Sequence, residues 1–399
     1  MKRILIFSHA LELGGAERSL IGLLHSLDYS EYEVDLFLMR HTGELMSCIP
    51  EQVNLLPEIP QYACLAVPIA QVLKSGHFGV AFGRFIGKRK AAAYVKQHKL
   101  KENAVSLEYS HKYTRAFMPT VGTGVYDLAV SFLTPHYFAA EKVQAKKKAA
   151  WIHTDYSRLA VNVESELAMW GRYDHIVGVS EDVVKSFTGV FPSLADKTMV
   201  MENTLPEKLI REQSKAFSAE DEMPADGSIR LLSIGRFSHA KNFDNVPDIC
   251  ARIRAAGLPV KWYLIGYGGE EELIRHKIAE AGMQENVIIL GKRENPYPYI
   301  AACDLYVQPS RYEGKAVTVR EAQLLGKPVV ITDYPTSSSQ LEDGLDGIIV
   351  PMDNTGCAKA ISSLLKDSSI LKGIQNDLSN KDFSNSEEVV LLKKLLEQL

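Results

Sequence analysis

The sequence predicts an α/β protein built from two doubly wound, parallel-sheet domains. Three observations carry this. Short apolar runs alternate with helical periods along the whole chain, the pattern of a parallel sheet covered by helices. The runs fall into two series, one in each half. The chain has 399 residues, more than one hydrophobic core usually organises.

The first series places strands at Ile4–Phe7, Val34–Met39, Leu128–Phe132, Ala149–Ile152 and Ile176–Val179. Met1–Ser8 has only a short apolar run before His9 and Glu12, so it reads as a buried strand rather than a signal peptide. Gly14-Gly15-Ala16-Glu17 follows and opens a helix with Leu20, Leu23, Leu24 and Leu27 on one side. The apolar stretch Ala63–Leu73 contains Pro68 and is too short to span a bilayer. The polar stretch Lys208–Ser228 is the expected linker, with domains at 1–207 and 229–383. The second series places strands at Arg230–Ile234, Lys261–Ile265, Val287–Leu290, Leu305–Gln308, Pro328–Ile331 and Gly347–Val350. The last helix, Ser384–Leu399, is charged on one side and leucine-rich on the other.

Composition narrows the class. Apolar residues make up 46% and charged residues 24%, and the net charge is -4, which does not suit a nucleic-acid binder. The five cysteines have no paired spacing and no histidine cluster beside them. They read as reduced thiols of a cytoplasmic protein without zinc. Residues 84–101 depart from the balance: they hold seven Lys or Arg and no acid, interleaved with Phe85, Ile86, Tyr94 and Val95. Lys142 and Lys146–Lys148 add to the basic character. The ordinary reading is a solvated helix face; the functional one is peripheral contact with an anionic membrane surface.

The chemistry centres on Glu313-Gly314-Lys315-Ala316-Val317-Thr318-Val319-Arg320-Glu321. Pro309 and Ser310 close the preceding strand, and a helical pattern runs on to Gly326. Glu313 therefore falls in a loop, the amides near 316–318 form a helix N-terminus, and Glu321 lies in the first turns. Helix N-termini attract phosphate. The flanking carboxylates repel phosphate but accept from hydroxyls. A diphosphate with a sugar on each side meets both demands. Arg236 and Lys241 follow the strand Arg230–Ile234, where cations would meet an anion. Gly266-Tyr267-Gly268-Gly269 is too incomplete for a dinucleotide fingerprint, since Glu271 stands where the third glycine belongs.

The Glu-x7-Glu spacing resembles the signature of retaining glycosyltransferases of family four, which have the GT-B fold. Gly235-Arg236 through Lys241 is similar to their Gly-Arg-x4-Lys motif, with Asn242 where many have Gly. The resemblance implies two Rossmann-like domains facing a cleft, with the C-terminal helix returning to the first. It implies a second domain that binds a nucleotide sugar, most simply UDP-linked. Arg236, Lys241 and the helix N-terminus would carry the leaving-group charge without a dedicated metal or other cofactor. Glu313 would orient the sugar hydroxyls and Glu321 would bind the ribose. Gly235, Gly266, Lys292, Gly314, Lys315, Ala316, Val317 and Thr318 would line the donor pocket. Gly14 and Gly15 would face the diphosphate and the acceptor. His153, in Trp151-Ile-His-Thr-Asp155, would position the donor sugar, with Asn203 a weaker match. The acceptor would be a glycan, soluble or lipid-linked, of the kind used in cell-surface polysaccharide assembly. Lys315 and Ala316 depart from the aromatic and glycine common in the family's sugar-facing loop, which leaves the transferred sugar open. Two other readings share the fold: a UDP-sugar 2-epimerase, and a non-catalytic partner subunit of a glycosyltransferase.

Overall fold

The computed structural model describes residues 1–100, 104–378 and 381–397. These divide into two units, residues 1–204 together with the segment from Ser386 onward, and residues 205–385.

The first unit is a seven-stranded parallel sheet: β1 (Lys2–Ser8), β2 (Tyr32–Leu38), β3 (Asn54–Leu55), β4 (Tyr126–Ser131), β5 (Ala145–Ile152), β6 (His175–Gly178) and β7 (Thr198–Val200), in the order β3-β2-β1-β4-β5-β6-β7. Ile4, Leu5, Ile6 and Phe7 are buried because β1 is central and helices cover both faces. The expected strands are all present. The two edge strands β3 and β7 went unread because two or three residues carry no period. The final helix, Val390–Glu397, packs on β4 and β5 of this unit. Residues 398 and 399 of the expected helix lie outside the described residues.

The second unit is a six-stranded parallel sheet of β8 (Ile229–Ile234), β9 (Val260–Ile265), β10 (Val287–Gly291), β11 (Leu305–Gln308), β12 (Val329–Thr332) and β13 (Ile348–Val350), in the order β10-β9-β8-β11-β12-β13. Strand residues alternate between two cores, as a pleat requires: Leu232 and Ile234 enter one, Leu231 the other. The expected linker is corrected. Residues 208–228 belong to this unit; Glu207–Gln213 is helical, and Ile210, Ala219 and Met223 are buried in its core. The apolar anchors are few and irregularly spaced among charges, so the stretch imitates a linker in sequence.

In both sheets the strand order reverses beside the first strand of the series, between β1 and β4 and between β8 and β11. Loops leaving the carboxyl ends of such neighbours diverge to opposite faces and open a crevice, where α/β proteins bind ligands.

Among the described residues no helix is long and apolar enough to cross a membrane. The basic segment forms most of helix Phe78–His98; Lys101 lies outside the described residues. Arg84 is turned inward, donating to the carbonyls of Cys64 and Val67, and Tyr94 and Val95 pack around Tyr109. Lys146 pairs with Asp127, Lys147 with Asp174, and Lys148 donates to the Ala140 carbonyl. Arg84, Tyr94 and Val95 therefore serve the fold, while Lys146 and Lys147 have their charge paired at the surface.

Candidate functional site

The reversal between β8 and β11 brings Lys241 to Glu313. Lys241 ends a short 3-10 turn, His239–Lys241, in the loop after β8. Asn242 follows at φ 60, a left-handed conformation that Asn tolerates better than most residues, which explains its place where the resemblance has Gly. Arg311 clamps this turn: it grips the Asp244 carboxylate at 2.9 and 2.8 Å and donates to the His239 carbonyl at 2.7 Å. Lys241 Nζ lies 2.6 Å from Glu313 Oε1. That oxygen also accepts from Ser310 Oγ at 2.5 Å and Gln308 Nε2 at 3.2 Å. Gln308 is fully buried and held by the Tyr306 hydroxyl at 2.8 Å. Oε1 is thus fixed by three donors, and the orientation of Oε2 follows. Arg236 is exposed, and its guanidinium has no partner among the described residues.

Two glycines have a backbone cause. A Cβ on Gly266 would lie 1.9 Å from the Gly235 carbonyl oxygen, and one on Gly268 would lie 2.4 Å from that of Phe237. Both have φ 154, which L side chains rarely adopt. The two loops are stitched by Gly235 N to Ile265 O (3.0 Å) and Phe237 N to Tyr267 O (2.8 Å). These glycines therefore fix where Arg236 and Lys241 start. Lys292, in the loop after β10, places its ammonium 4.8 Å from the Tyr267 ring centroid.

The helix after Glu313 runs Val317–Leu324, with Ala316 at its N-cap. Gly314 and Lys315 are half-buried in the loop, Ala316 and Val317 are buried, and Thr318 Oγ1 reaches Gln308 at 3.4 Å. The expectation of open amides needs amendment: the Ala316 N–H donates to Gln340 Oε1 at 2.6 Å. A side-chain amide already stands where one phosphate oxygen would. Glu321 also differs from the picture of an open acceptor. It is fully buried, and Oε1 accepts from the Tyr297 hydroxyl at 2.9 Å. Sequence reasoning missed Gln308, Ser310, Arg311 and Gln340. The available signal was polar side chains closing an otherwise apolar strand, Leu305-Tyr-Val-Gln308-Pro-Ser310.

In the first unit, Gly14 caps helix Gly15–Ser26, and the Glu17 carboxylate folds over it, 2.0 Å from where a Cβ on residue 14 would sit. An acid already at this helix start offsets its attraction for a further anion. Beyond β4 and β5 lies a cavity of about 380 Å³. Its walls include Glu108, His111, His136, His153, Glu166 and Trp170. His153 Nε2 is 3.0 Å from the Phe132 carbonyl, which only accepts, so this nitrogen carries the proton. Burial lowers its pKa to about 4, so at neutral pH the ring is uncharged and Nδ1 is an acceptor. Burial likewise holds His111 and His136 down to about 3. Burial pushes Glu166 up to about 7, against the Trp170 and Tyr156 donors at 3.2 and 3.0 Å. Glu108 Oε1 accepts from Tyr137 and Ser165, both at 2.6 Å, while its buried Oε2 has no partner among the described residues. Uncharged imidazoles and aromatic rings on this wall suit a hydroxyl-bearing ligand. Asn203 is not part of this wall.

The cationic loop, the two glutamates and the helix N-terminus all belong to the second unit, and they fall within one stretch of recognisable sequence. Residues 214–381 match the family Glycosyl transferases group 1. Over part of its length the chain is similar to the lipopolysaccharide core biosynthesis glycosyltransferase LpsE of Rhizobium meliloti, 29% identical over 153 residues, 38% of this chain and 44% of that protein. It is similar too to a Campylobacter jejuni enzyme named N-acetylgalactosamine-N,N'-diacetylbacillosaminyl-diphospho-undecaprenol 4-alpha-N-acetylgalactosaminyltransferase, 28% identical over 148 residues, 37% of this chain and 40% of the enzyme. The chain is thus matched over less than half the length of these relatives. The fold likeness extends further. The crystal structure of Anabaena Alr3699/HepE in complex with UDP-glucose aligns over 100% of both chains with a TM-score of 0.70 at 18% identity. That is a likeness of fold, the GT-B class of two parallel, helix-covered sheets. The group 1 match covers every donor-side residue named above, from Gly235 to Glu321.

Proposed function

We propose that this protein is a glycosyltransferase that moves a hexose or N-acetylhexosamine from a UDP-sugar to a glycan acceptor in cell-surface polysaccharide synthesis. The observation that carries the reading is the Lys241–Glu313 pair at the strand reversal of a group 1 segment. Donor and acceptor duties divide between the units. The second unit holds the UDP-sugar: Arg236 and Lys241 meet the diphosphate, and Glu313 turns its free oxygen toward the sugar hydroxyls. The first offers the acceptor a cavity lined by hydrogen-bonding groups and aromatic rings, with His153 as a positioning group. As the glycosidic bond to UDP breaks, negative charge grows on the diphosphate, and nearby cations gain most at that moment. Configuration at the transferred carbon is retained, with the acceptor oxygen entering on the face that UDP leaves. A phosphate oxygen takes the acceptor proton, so no protein nucleophile is required. Charge compensation by Arg236 and Lys241 replaces a dedicated metal. Glu321, held by the Tyr297 hydroxyl, is assigned to the ribose.

A thermal-shift screen across UDP-, GDP- and ADP-sugars tests the reading, because ligand binding to the native state raises its melting temperature. A shift with UDP and one UDP-sugar, followed by release of UDP only when a glycan acceptor is present, is expected. UDP release with free sugar product and no acceptor would point to an epimerase instead.

A further inference from the structure

We propose that the first unit docks on an anionic lipid surface through the outward face of helix Phe78–His98. The inference stands on the first unit alone and does not depend on the transfer reaction.

Phe78, Phe82 and Phe85 are 66%, 60% and 51% exposed. At 100° per residue they fall within an arc of roughly 60°. Arg89 and Lys96 continue the same line, and Lys88 and Lys90 flank it; all four are exposed. The helix is 21 residues long, about 31 Å, so the stripe can lie flat along a surface. The opposite face is locked. A Cβ on Gly83 would lie 2.5 Å from the Tyr113 carbonyl oxygen, and one on Gly87 2.6 Å from that of Tyr109. Such close packing on helix Val105–Thr114 leaves no rotation that would bury the phenylalanines. Their exposure is therefore built in.

Leu73, 44% exposed, adds apolar surface from the preceding helix Ile69–Lys74. Charge selects the partner. From Ile59 to Lys101 the sequence has no Asp or Glu, whereas the whole chain is net negative. Aromatic side chains that enter the headgroup boundary, with cations beside them, are the features of a helix lying in a membrane interface. Each cation near an anionic leaflet strengthens binding about fivefold, and salt screens the gain.

The test is co-sedimentation of the full chain with phosphatidylcholine vesicles, with and without about a third phosphatidylglycerol to supply an anionic surface, at low and high salt. Binding is expected on the anionic vesicles only, and is expected to weaken with salt. The double variant Phe82→Ser/Phe85→Ser and the triple variant Lys88→Gln/Arg89→Gln/Lys90→Gln should each lose at least about tenfold, since three cations at about fivefold apiece give roughly a hundredfold. Every substituted side chain is exposed, so melting temperature and the UDP-induced shift should stay at wild-type values. No binding to anionic vesicles would overturn the proposal. So would undiminished binding by both variants, or capture by an acidic polypeptide as strong as by vesicles and indifferent to the two phenylalanines, which would assign the face to a protein partner. A missing UDP shift in the wild type would instead count against the donor reading and leave the lipid result standing.

Discussion

Lys241 and Glu313 share one hydrogen bond, and the lysine donates it to the carboxylate oxygen that Ser310 and Gln308 also hold. The proposed reaction gives each partner a separable duty, Lys241 toward growing charge and Glu313 toward a positioned sugar. Lys241→Ala is expected to cost ~100- to 1000-fold in turnover, as for one transition-state contact worth about 2.7–4 kcal/mol, with a smaller loss of UDP-sugar affinity. Glu313→Gln should lower turnover while sparing affinity for UDP. Calorimetric titration with UDP beside steady-state rates separates the two; loss of UDP binding in Glu313→Gln would remove its sugar-facing role.

If Arg236 and Lys241 carry the diphosphate charge as proposed, UDP binding is expected to be independent of added divalent ions. Equal melting shifts with UDP in EDTA and in magnesium are expected. A shift that appears only with magnesium or manganese would transfer the charge compensation to a metal.

Gln340 occupies the Ala316 amide that a phosphate oxygen would use. Removing it as Gln340→Ala should lower the stability of the free protein by about 1–3 kcal/mol, the cost of an orphaned buried donor, and its melting temperature with it. UDP would then satisfy that donor directly, so the UDP-induced shift should exceed that of wild type. A smaller shift would mean that the amide serves the fold alone.

Gly268→Ala would set a methyl 2.4 Å from the Phe237 carbonyl at a φ of 154. A strained backbone position of this kind costs roughly 1–3 kcal/mol, and the clash adds to it. Urea unfolding should show the loss, and UDP affinity should fall because the Arg236 loop moves. Wild-type stability in the variant would mean that the two loops part easily.

Glu166 makes the first unit's stability depend on pH with a definite sign. Its pKa rises from 4.5 to about 7 on folding, chiefly by burial, so its favourable contribution is complete below 4.5 and is lost as pH rises through 7. The histidines act in the opposite direction. His153, held at about 4, and His111 and His136, at about 3, contribute above 6.5 and lose that contribution as pH falls toward those values. Glu166→Gln keeps an oxygen for Tyr156 and Trp170 and isolates the glutamate. Relative to this variant, wild type should lose at most about 3 kcal/mol between pH 4.5 and 8, at 1.36 kcal/mol per unit. A stability difference that is flat across this range would show that Glu166 stays ionised.

How much of this was legible beforehand follows from the physics of each element. Central strands such as Ile4–Phe7 and Leu231–Ile234 announce themselves because both faces are buried and nearly every residue is apolar. The edge strands Asn54–Leu55 and Thr198–Val200 are too short to carry a period. The stretch 208–228 reads as a linker because its anchors, Ile210 and Met223, are isolated among charges. The candidate site was legible where charged residues stand at fixed spacing, as Glu313 and Glu321 do. It was illegible where neutral side chains act across the fold: nothing near Gln340 in sequence says that it caps an amide at residue 316. Burial of Glu321 was hidden for the same reason, since only the packed sheet decides what covers a helix.

Lys241 and Glu313 are separated by 72 positions in sequence. They meet only when β11 takes its place beside β8, with β9 and β10 on the other side. No fragment ending before residue 305 holds both halves of the pair, and no early folding intermediate that lacks this strand does either. Binding of UDP during refolding would therefore report the long-range closing of the second sheet, and would serve as a gauge of its completion before any transfer is measured.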